Sequence, residues 1–577
     1  MKNNMRHMFN TPINLGPICQ ILGRQDNKIK PKWRKWVRQI SIVVLALKLT
    51  SCITIPGFDG EQDIPKGVAG YVQGFYGGVA ADEPHAVLVG RNILAAGGMA
   101  ADAAVAMYFM LSVTYPSAAS LGSGGMCLVG DNETGKVETL DFLGQISSGS
   151  RGFRVGVPSS PRGFFALHAK YGKLDWSQVI QPAENAARFG VQMSRAAATE
   201  IRFAGSKLSK TPVSRLLKLS DSGRFYAEGD TIIQRELASI LAMIRNRGAG
   251  TLYNGTYARQ FVASANESGV ALTYGDMQAL RPLWRSALEV LVDVRSSFYL
   301  PMPRTSVGTM GAKALAVSLS GARYKKSDDG LRAHLIAEAI QRALVDGARG
   351  YETVTPNKKN SRVRLPNKYI DNLMVNYVED RVLQFAVNNP PLAMGSGSHG
   401  QTSFIAVDKT GGAIACFLTM NQRFGALQAI RGTGVILAAP PPASTDIRDL
   451  SIGLLLMSSR DKNIFFMAGA SSGGGAAQSA VVQAALRAGG GTPDDLDAAI
   501  SWKRLFRDPA RALTYIESGT PKNIINSLRV RGHNLQVIQS MGRVNLAFCE
   551  SGLPTKEPQC GFRSDPRAYG LASVPTS

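Results

Sequence analysis

The 577-residue sequence lacks several features that would place it at once in a common class. Its N-terminal apolar run, Ile40–Leu47, is much shorter than the ~20 residues that a membrane-spanning helix needs. Its six cysteines show no zinc-ligand spacing, and no Lys-Ser or Lys-Thr pair follows the glycine-rich loop Ser120–Gly125. A spanning helix at this run, a zinc domain and a phosphate-binding P-loop are therefore not expected, and the sequence predicts neither a metal nor a cofactor.

Charge is sparse and strongly unbalanced. Charged residues make up 19% of the chain, and the formal net charge is +23. Residues 1–51 hold ten Lys and Arg against Asp26 alone, which accounts for nine of these charges. The rest are scattered, without the aromatic-interleaved basic stripe that follows a nucleic-acid strand, so no nucleic-acid partner is expected. A hydrophobic content of 45% indicates a folded globular protein, and its basic surface suits an anionic cell envelope.

The N-terminal region has the pattern of an export signal. A basic stretch ends at Arg38, the apolar run follows, and Leu49-Thr50-Ser51-Cys52 resembles a bacterial lipobox. We therefore predict a signal peptide over residues 1–52, lipidation of the Cys52 thiol, and a glycine-rich tether over residues 53–82. The alternative is an ordinary signal peptide with an incidental cysteine. The predicted location is the periplasmic side of a bacterial envelope, with a lipid anchor in the membrane.

Two apolar runs later in the chain predict a β-hairpin. Phe404–Val407 and Ala413–Leu418 flank the turn sequence Asp-Lys-Thr-Gly-Gly. Thr402 stands at the start of the first strand, while Thr419 and Asn421 end the second and share one face. A hydroxyl at a strand start suits an N-terminal-nucleophile (Ntn) hydrolase, which cuts its own chain and then uses the freed α-amine as a base.

These residues resemble the γ-glutamyltransferase (γ-glutamyltranspeptidase) family. That family has a Thr-x-His-[Phe/Tyr/Leu]-Ser-Val-Val-Asp strand and a second strand ending Thr-x-Asn. The run Gly97–Ala106, the Gly122–Gly125 loop and Asp141-Phe142 are similar to the start of its large subunit. The resemblance extends from about Pro84 to Arg567. It implies an α+β fold, a four-layer αββα sandwich, with a large-subunit-like region at 83–400 and a small-subunit-like region at 401–577.

The nucleophile position departs from the family pattern. Counting back from Asp408, that position falls on Gln401, and Thr402 comes one residue late. A slip of one residue matters because successive side chains in a strand point to opposite faces. Two interpretations follow: either the strand start is rearranged and Thr402 is the nucleophile, or the nucleophile has been lost.

The resemblance also assigns the surrounding residues. It implies that Thr419 orients the nucleophile, that Asn421 binds substrate, and that Gly473 and Gly474 supply oxyanion-hole N–H groups; a plain strand-to-helix turn is the alternative for these glycines. Ser451 falls near a partly kept substrate-binding serine segment. Leu143 stands where the family has a carboxylate-binding Arg, and Ala438–Ala443 lacks the family's amine-binding Asp.

The resemblance therefore implies an amide (γ-glutamyl-type) hydrolase or acyltransferase with an altered pocket. It would mature by self-cleavage before Thr402 and act on a small peptide-like or γ-glutamyl substrate. The alternative is a catalytically inactive envelope lipoprotein with a binding or scaffold role.

Four cysteines and one helical stripe complete the set of candidates. Cys127 and Cys416 lie in apolar strands and are expected in the core as ordinary packed residues. Cys549 and Cys560 would form a disulfide in an oxidising envelope, with free thiols as the alternative. The stripe His334, Glu338 and Arg342 has metal-like spacing, but without a second nearby His a solvated or structural role is expected.

Overall fold

The computed structural model describes residues 74–219, 222–302, 309–347, 363–385, 399–441, 452–458 and 464–573. Its nineteen described strands, in chain order, are β1 Gly77–Ala81, β2 Gly124–Asp131, β3 Lys136–Phe142, β4 Val191–Gln192, β5 Thr231–Ile232, β6 Leu283–Ser286, β7 Leu288–Leu291, β8 Ser296–Leu300, β9 Val363–Arg364, β10 Gln401–Asp408, β11 Ala413–Thr419, β12 Gly453–Ser458, β13 Phe465–Ser472, β14 Leu505–Asp508, β15 Leu513–Glu517, β16 Leu535–Ile538, β17 Arg543–Leu553, β18 Cys560–Ser564 and β19 Leu571–Ser573.

The strands form two large sheets. The first has the order β19-β1-β10-β11-β2-β3-β6, with all neighbours antiparallel. The second has the order β18-β17-β13-β12-β8-β7-β9 and is antiparallel except for the β7–β9 pair. Each sheet combines strands from both sides of residue 401, so the two predicted subunit-like regions are interleaved in one sandwich.

Helices cover the outer faces of both sheets. In chain order, the α-helices of the described residues are α1 Pro84–Ala95, α2 Ala100–Thr114, α3 Ser160–Tyr171, α4 Trp176–Phe189, α5 Arg195–Ala204, α6 Ser206–Ser209, α7 Arg235–Arg247, α8 Gly255–Glu267, α9 Tyr274–Ala279, α10 Thr309–Leu319, α11 Arg323–Lys326, α12 Asp329–Asp346, α13 Asn367–Leu373, α14 Ala477–Ala488, α15 Leu496–Ser501 and α16 Lys522–Val530. Helix α2 is apolar nearly all round, and every one of its residues is buried, as its alanine-rich sequence predicts.

Three apolar cores separate the layers. One joins the outer face of the first sheet to α1–α5, α7 and α8, and another joins the outer face of the second sheet to α10, α12 and α14. The third lies between the sheets and contains Ile405, Val407, Leu455 and Ala468. This arrangement is the four-layer αββα sandwich, so the predicted fold class is confirmed.

Strand β1 corrects the predicted tether. Residues 53–82 were expected to be a glycine-rich tether, but Gly77–Ala81 is a fully buried strand between β10 and β19. Glycine is required there by close packing, because a Cβ on Gly78 would lie 2.6 Å from the Phe562 ring of the other sheet. The tether prediction is therefore wrong for these residues, while Cys52 and the signal region lie outside the described residues.

The predicted hairpin of β10 and β11 is present, and Asp408 holds its turn. One carboxylate oxygen of Asp408 accepts hydrogen bonds from the amides of Thr410 and Gly412, and the other accepts one from the Ala100 amide at the start of α2. The hairpin is thereby joined to the helix layer.

The cysteines form two disulfides. Cys549 and Cys560 are bonded, which confirms the predicted pair. Cys127 and Cys416 are buried, as expected, but they face each other across β2 and β11 and are also bonded. Their interpretation as ordinary core residues is therefore wrong, because two residues 289 positions apart become cross-strand neighbours only in the folded sheet.

The His334 stripe is buried rather than solvated. His334 Nδ1 lies 2.9 Å from His533 Nε2, so the fold supplies the second histidine that the local sequence lacks. Glu338 pairs with the Arg342 guanidinium at 3.0 Å.

Nowhere in the described part of the chain do three His, Cys, Asp or Glu side chains gather as metal ligands. Among the same residues, no helix has both the length and the hydropathy that crossing a membrane requires.

Candidate active site

The start of β10 distinguishes the two interpretations of the nucleophile position. Ile405 and Val407 belong to the core between the sheets, and Phe404 belongs to the core under the helices. By strand alternation, Gln401 shares the inter-sheet face with Ile405, whereas Thr402 shares the helix-side face with Phe404. The structure therefore places the two adjacent candidates on opposite faces of the first sheet.

Gln401 lies opposite Thr419 in the β10–β11 ladder and is 4% exposed. Its side-chain carbonyl, Oε1, accepts a hydrogen bond of 3.4 Å from the Gly474 amide. Gly473 and Gly474 form the turn between β13 and α14 with φ of 100° and 81°, a backbone conformation that strongly favours glycine. The turn thus presents an N–H group that holds an amide carbonyl oxygen, which is the contact an oxyanion hole makes.

Thr402 is fully buried and donates to a carboxylate. Its Oγ1 lies 3.1 Å from Asp82 Oδ2, which also accepts hydrogen bonds from the Ser403 amide at 3.0 Å and from Ser472 Oγ at 2.7 Å. Asp82 Oδ1 accepts from Asn545 Nδ2 at 2.8 Å. We call Asp82, Thr402, Ser472 and Asn545 the threonine cluster.

Sequence reasoning missed three members of the threonine cluster. Asp82 immediately follows β1 and precedes the helix-starting Glu83-Pro84, Ser472 ends β13, and Asn545 lies inside β17. All three are buried, and Asp82 lies hundreds of residues before the other two in the chain. The sequence offered one usable signal, which is an acid, Asp82, at the end of an apolar run of glycine and alanine. The contact between the three segments depends on the order of strands in the sheets.

Strand β11 ends at Thr419, and Asn421 lies two residues beyond it, so the prediction that Asn421 ends this strand is wrong. Thr419 Oγ1 accepts a hydrogen bond of 2.8 Å from the Asn421 amide, which holds Asn421 at a φ of 60°. The Asn421 side chain donates to the Ala439 carbonyl at 2.8 Å. Asn421, the predicted substrate-binding residue, is thus held against the segment that precedes the Pro440–Pro442 run. Ser451, the other predicted substrate-binding residue, lies outside the described residues.

The position of the family's carboxylate-binding Arg has an apolar environment. Leu143 packs against Met126 and Phe417, and Phe417 lies opposite Ser403 on the inter-sheet face of the ladder. The Leu143 side chain therefore has apolar neighbours, while its backbone amide donates to the Asp141 carboxylate at 3.1 Å.

A buried charged network borders the threonine cluster. Arg543 lies opposite Ser472 in the β13–β17 ladder and contacts Glu200 at 3.3 Å, and Arg423 contacts the same carboxylate at 2.6 Å. The Tyr115 hydroxyl shares this network through a 3.2 Å contact with Arg543. Burial and the Glu200 carboxylate raise the pKa of Tyr115, so its hydroxyl stays protonated.

Comparison with known proteins agrees with this geometry. The family model described as gamma-glutamyltranspeptidase matches residues 86–439, well over half of the chain. The chain belongs to the γ-glutamyltranspeptidase family. The family's members include glutathione hydrolases, which are enzymes, and the matched range contains Thr402, Thr419 and Asn421.

Individual relatives are distant. A glutathione hydrolase of Arabidopsis thaliana is 26% identical over 404 residues, which cover 66% of this chain and 62% of the relative. The glutathione hydrolase proenzyme of Escherichia coli K12 is 26% identical over 424 residues, covering 69% of this chain and 72% of the relative. The match therefore spans less than two thirds of the Arabidopsis protein.

A solved structure supports the fold over a longer range. The cephalosporin acylase of Bacillus halodurans superimposes with a TM-score of 0.71 at 20% identity, covering 89% of this chain and 99% of that chain. At this identity the likeness concerns the fold alone, and it agrees with the Ntn-type sandwich.

Proposed function

We propose that this chain is an amide-bond hydrolase or acyltransferase of the γ-glutamyltranspeptidase type, which matures by cutting its own chain between Gln401 and Thr402. The observation that carries the proposal is the 3.1 Å hydrogen bond from the Thr402 hydroxyl to the buried Asp82 carboxylate. A carboxylate so placed can take the hydroxyl proton as a general base. Gln401, at the family's nucleophile position, would then belong to the segment that leaves.

The self-cleavage step balances without a cofactor. Thr402 Oγ1 attacks the carbonyl carbon of Gln401 while its proton passes to Asp82. The C–N bond to Thr402 breaks, the proton is returned to the nitrogen, and an ester joins Gln401 to the Thr402 oxygen. Water then hydrolyses the ester, which leaves a carboxylate on Gln401 and a free hydroxyl and α-amine on Thr402.

Cleavage would also open the glycine turn. In the uncut chain, the Gln401 amide occupies the Gly474 N–H. As the new C-terminus, Gln401 is no longer held in β10, and the same N–H becomes available to a substrate carbonyl. Thr402 becomes a terminal residue, so rotation about its Cα–C bond can move its side chain towards the face that Gln401 has left.

The proposed substrate is a small peptide-like or γ-glutamyl amide that carries less charge than a free γ-glutamyl zwitterion. The Leu143 side chain, which stands where the family has an Arg, offers no charge to an α-carboxylate. Removing one partner of a buried charge pair typically costs about 2–5 kcal/mol, so a substrate depending on that pair would bind poorly here.

A second candidate function is favoured by Gln401 itself. Its side chain sits in the nucleophile register and fills the glycine turn, as expected of a chain that stays uncut. Such a protein would be a catalytically inactive member of the family with a binding or scaffold role in the envelope.

Mass analysis under reducing conditions separates the two candidates. Reduction is essential, because the Cys127–Cys416 disulfide joins the segments on either side of residue 402. Without reduction, cleavage would add only the mass of one water. The proposed enzyme gives two fragments, the smaller beginning at Thr402. A single reduced chain after long incubation would contradict the proposal and favour the binding role.

Thr402→Ala tests the nucleophile, with Thr402→Ser as its matched control. The alanine variant should stay uncut and inactive because it has no hydroxyl, whereas the serine variant should still be cut. Cleavage of Thr402→Ala at the parent rate would show that another group attacks the bond.

For the location, we propose a bacterial envelope lipoprotein anchored through Cys52. The sequence Leu49–Cys52 and the basic, then apolar, segment before it support this. Cys52→Ser should move the full-length protein from the membrane fraction to the soluble fraction after cell lysis. Retention of the variant in the membrane fraction would contradict lipid anchoring.

A further inference from the structure

Asn545 is the one member of the threonine cluster whose hydrogen bonding is incomplete. Its Nδ2 donates to Asp82 Oδ1 at 2.8 Å and to the Ser403 carbonyl and Oγ, both at 3.0 Å. A carboxylate and a peptide carbonyl are acceptors only, so these contacts fix which end of the amide is nitrogen. The orientation of Asn545 is therefore determined by its surroundings.

The opposite end of the same amide has no partner. Asn545 is fully buried, and its Oδ1 accepts no hydrogen bond in the structure. A buried acceptor without a donor loses its hydrogen bonds to water without replacement, which is unfavourable, and such atoms are rare in folded proteins. A donor that is absent from the uncut chain would remove this cost.

We infer that Asn545 is a positioning residue whose Oδ1 receives the α-amine that self-cleavage creates on Thr402. The inference rests on the proposed function. In the uncut chain this nitrogen is an amide of β10, in the ladder opposite Leu418. Cleavage converts it into a terminal group with two or three N–H donors and frees it from the upstream peptide.

The cluster offers the amine complementary partners. Asp82 supplies a negative charge, and Asn545 supplies a neutral carbonyl whose direction is fixed by its contacts with Asp82 and Ser403. A neutral amine that donates an N–H to Oδ1 has its single lone pair held in one direction. Because this amine is the general base of an N-terminal-nucleophile enzyme, its orientation governs proton transfer from Thr402 Oγ1.

The pKa of the Thr402 α-amine tests the inference without any knowledge of the substrate. The processed protein is labelled with acetic anhydride across a pH series, and the N-terminal peptide of the small fragment is quantified by mass spectrometry. Asn545→Ala removes an acceptor that stabilises the charged amine. Its pKa should fall by about one to two units, raising the labelling rate below the parent pKa by about 10–100-fold.

Two further variants make the result specific. Ser403→Ala removes a contact of Nδ2 and leaves Oδ1 in place, so the amine pKa should stay at the parent value. Asn545→Ser keeps a hydroxyl donor for Asp82 and supports folding if the alanine variant fails to fold; it should lower the pKa in the same way.

The outcomes separate the two proposals. If the parent stays uncut, the proposed function and this inference both fall. If the parent is cut and Asn545→Ala or Asn545→Ser leaves the amine pKa unchanged, only the inference is overturned. If the parent is cut and neither variant is, Asn545 acts before the amine exists, which also overturns the inference.

Discussion

Two buried polar clusters of the molecule differ in how their charges are matched. The ion-pair cluster consists of Arg504, Glu517, Asp565 and Arg567. Its Asp565 carboxylate pairs with Arg504 at 2.6 Å and with Arg567 at 3.1 Å, and Glu517 Oε1 accepts from Arg567 Nε at 2.7 Å. Arg504 also donates to three backbone carbonyls, so each charge in this cluster has an opposite charge beside it.

The threonine cluster has one charge and no cation among its hydrogen-bond partners in the described residues. Asp82 is held by two hydroxyls, one backbone amide and one side-chain amide, and the cluster leaves the Asn545 oxygen unpaired. A fully matched cluster suits a structural role. A carboxylate that has no cation among its hydrogen-bond partners and lies beside a hydroxyl at a strand start suits proton transfer, because a cation does not use up its hydrogen-bonding capacity.

The largest effect is expected from a substitution that breaks the threonine cluster. Asp82→Asn keeps the shape of the side chain and removes the proposed base, so self-cleavage should slow by about 10²–10⁴-fold. The rate is measured as the fraction of cut chain against time on reducing gels. Asp565→Asn is the matched control in the ion-pair cluster, and its folded fraction should be cut at the parent rate. Equal cleavage rates in Asp82→Asn and the parent would rule out Asp82 as the base.

The next largest effect is expected from a substitution that breaks the ion-pair cluster. Asp565→Ala leaves two buried guanidinium groups without their shared partner, which should lower the free energy of unfolding by about 3–5 kcal/mol. Urea denaturation followed by circular dichroism measures the loss. Glu228→Ala, which breaks the exposed pair between Arg195 and Glu228, is the control and should change stability very little. A similarly small loss for Asp565→Ala would show that the cluster does not stabilise the fold.

The smallest effect comes from the buried histidine pair His334 and His533. Burial, together with nearby His334 and Arg507, lowers the pKa of His533 to about 3. Below its ordinary pKa of about 6.5, His533 therefore binds a proton in the unfolded chain but not in the folded chain. The stability this group contributes is present above about pH 6.5 and is lost as the pH falls. His533→Gln should flatten the decline of Tm between pH 7.5 and 4.5.

His85 supplies a control of opposite sign. Its hydrogen bond to Glu83 raises its pKa, so its contribution is present at low pH and is lost as the pH rises through the raised value. His85→Gln should therefore remove stability at acidic pH. A parallel change in both variants would mean that their folded-state pKa values are not displaced in opposite directions.

Much of the fold could be predicted because its signals are local. The alanine-rich run of α2 and the apolar runs of β10 and β11 indicate their own structures, and the family motifs supply the order of layers. The tether error at Gly77–Ala81 has a physical cause: glycine marks a flexible segment in a sequence, but here it permits close contact between sheets. The Cys127–Cys416 bond was missed because strand neighbours distant in sequence leave no local signal.

By itself, the sequence determined the sandwich and the β10–β11 hairpin, and it put Gln401 at the position where the family resemblance expects the nucleophile. These are properties of residue order and side-chain type. Only the tertiary structure decided that Gln401 contacts the glycine turn while Thr402 contacts Asp82, and that Asn545 binds Asp82 and keeps an unpaired oxygen. The reason is that strand alternation fixes the two faces, but what lies on each face depends on strands and helices brought together from distant parts of the chain.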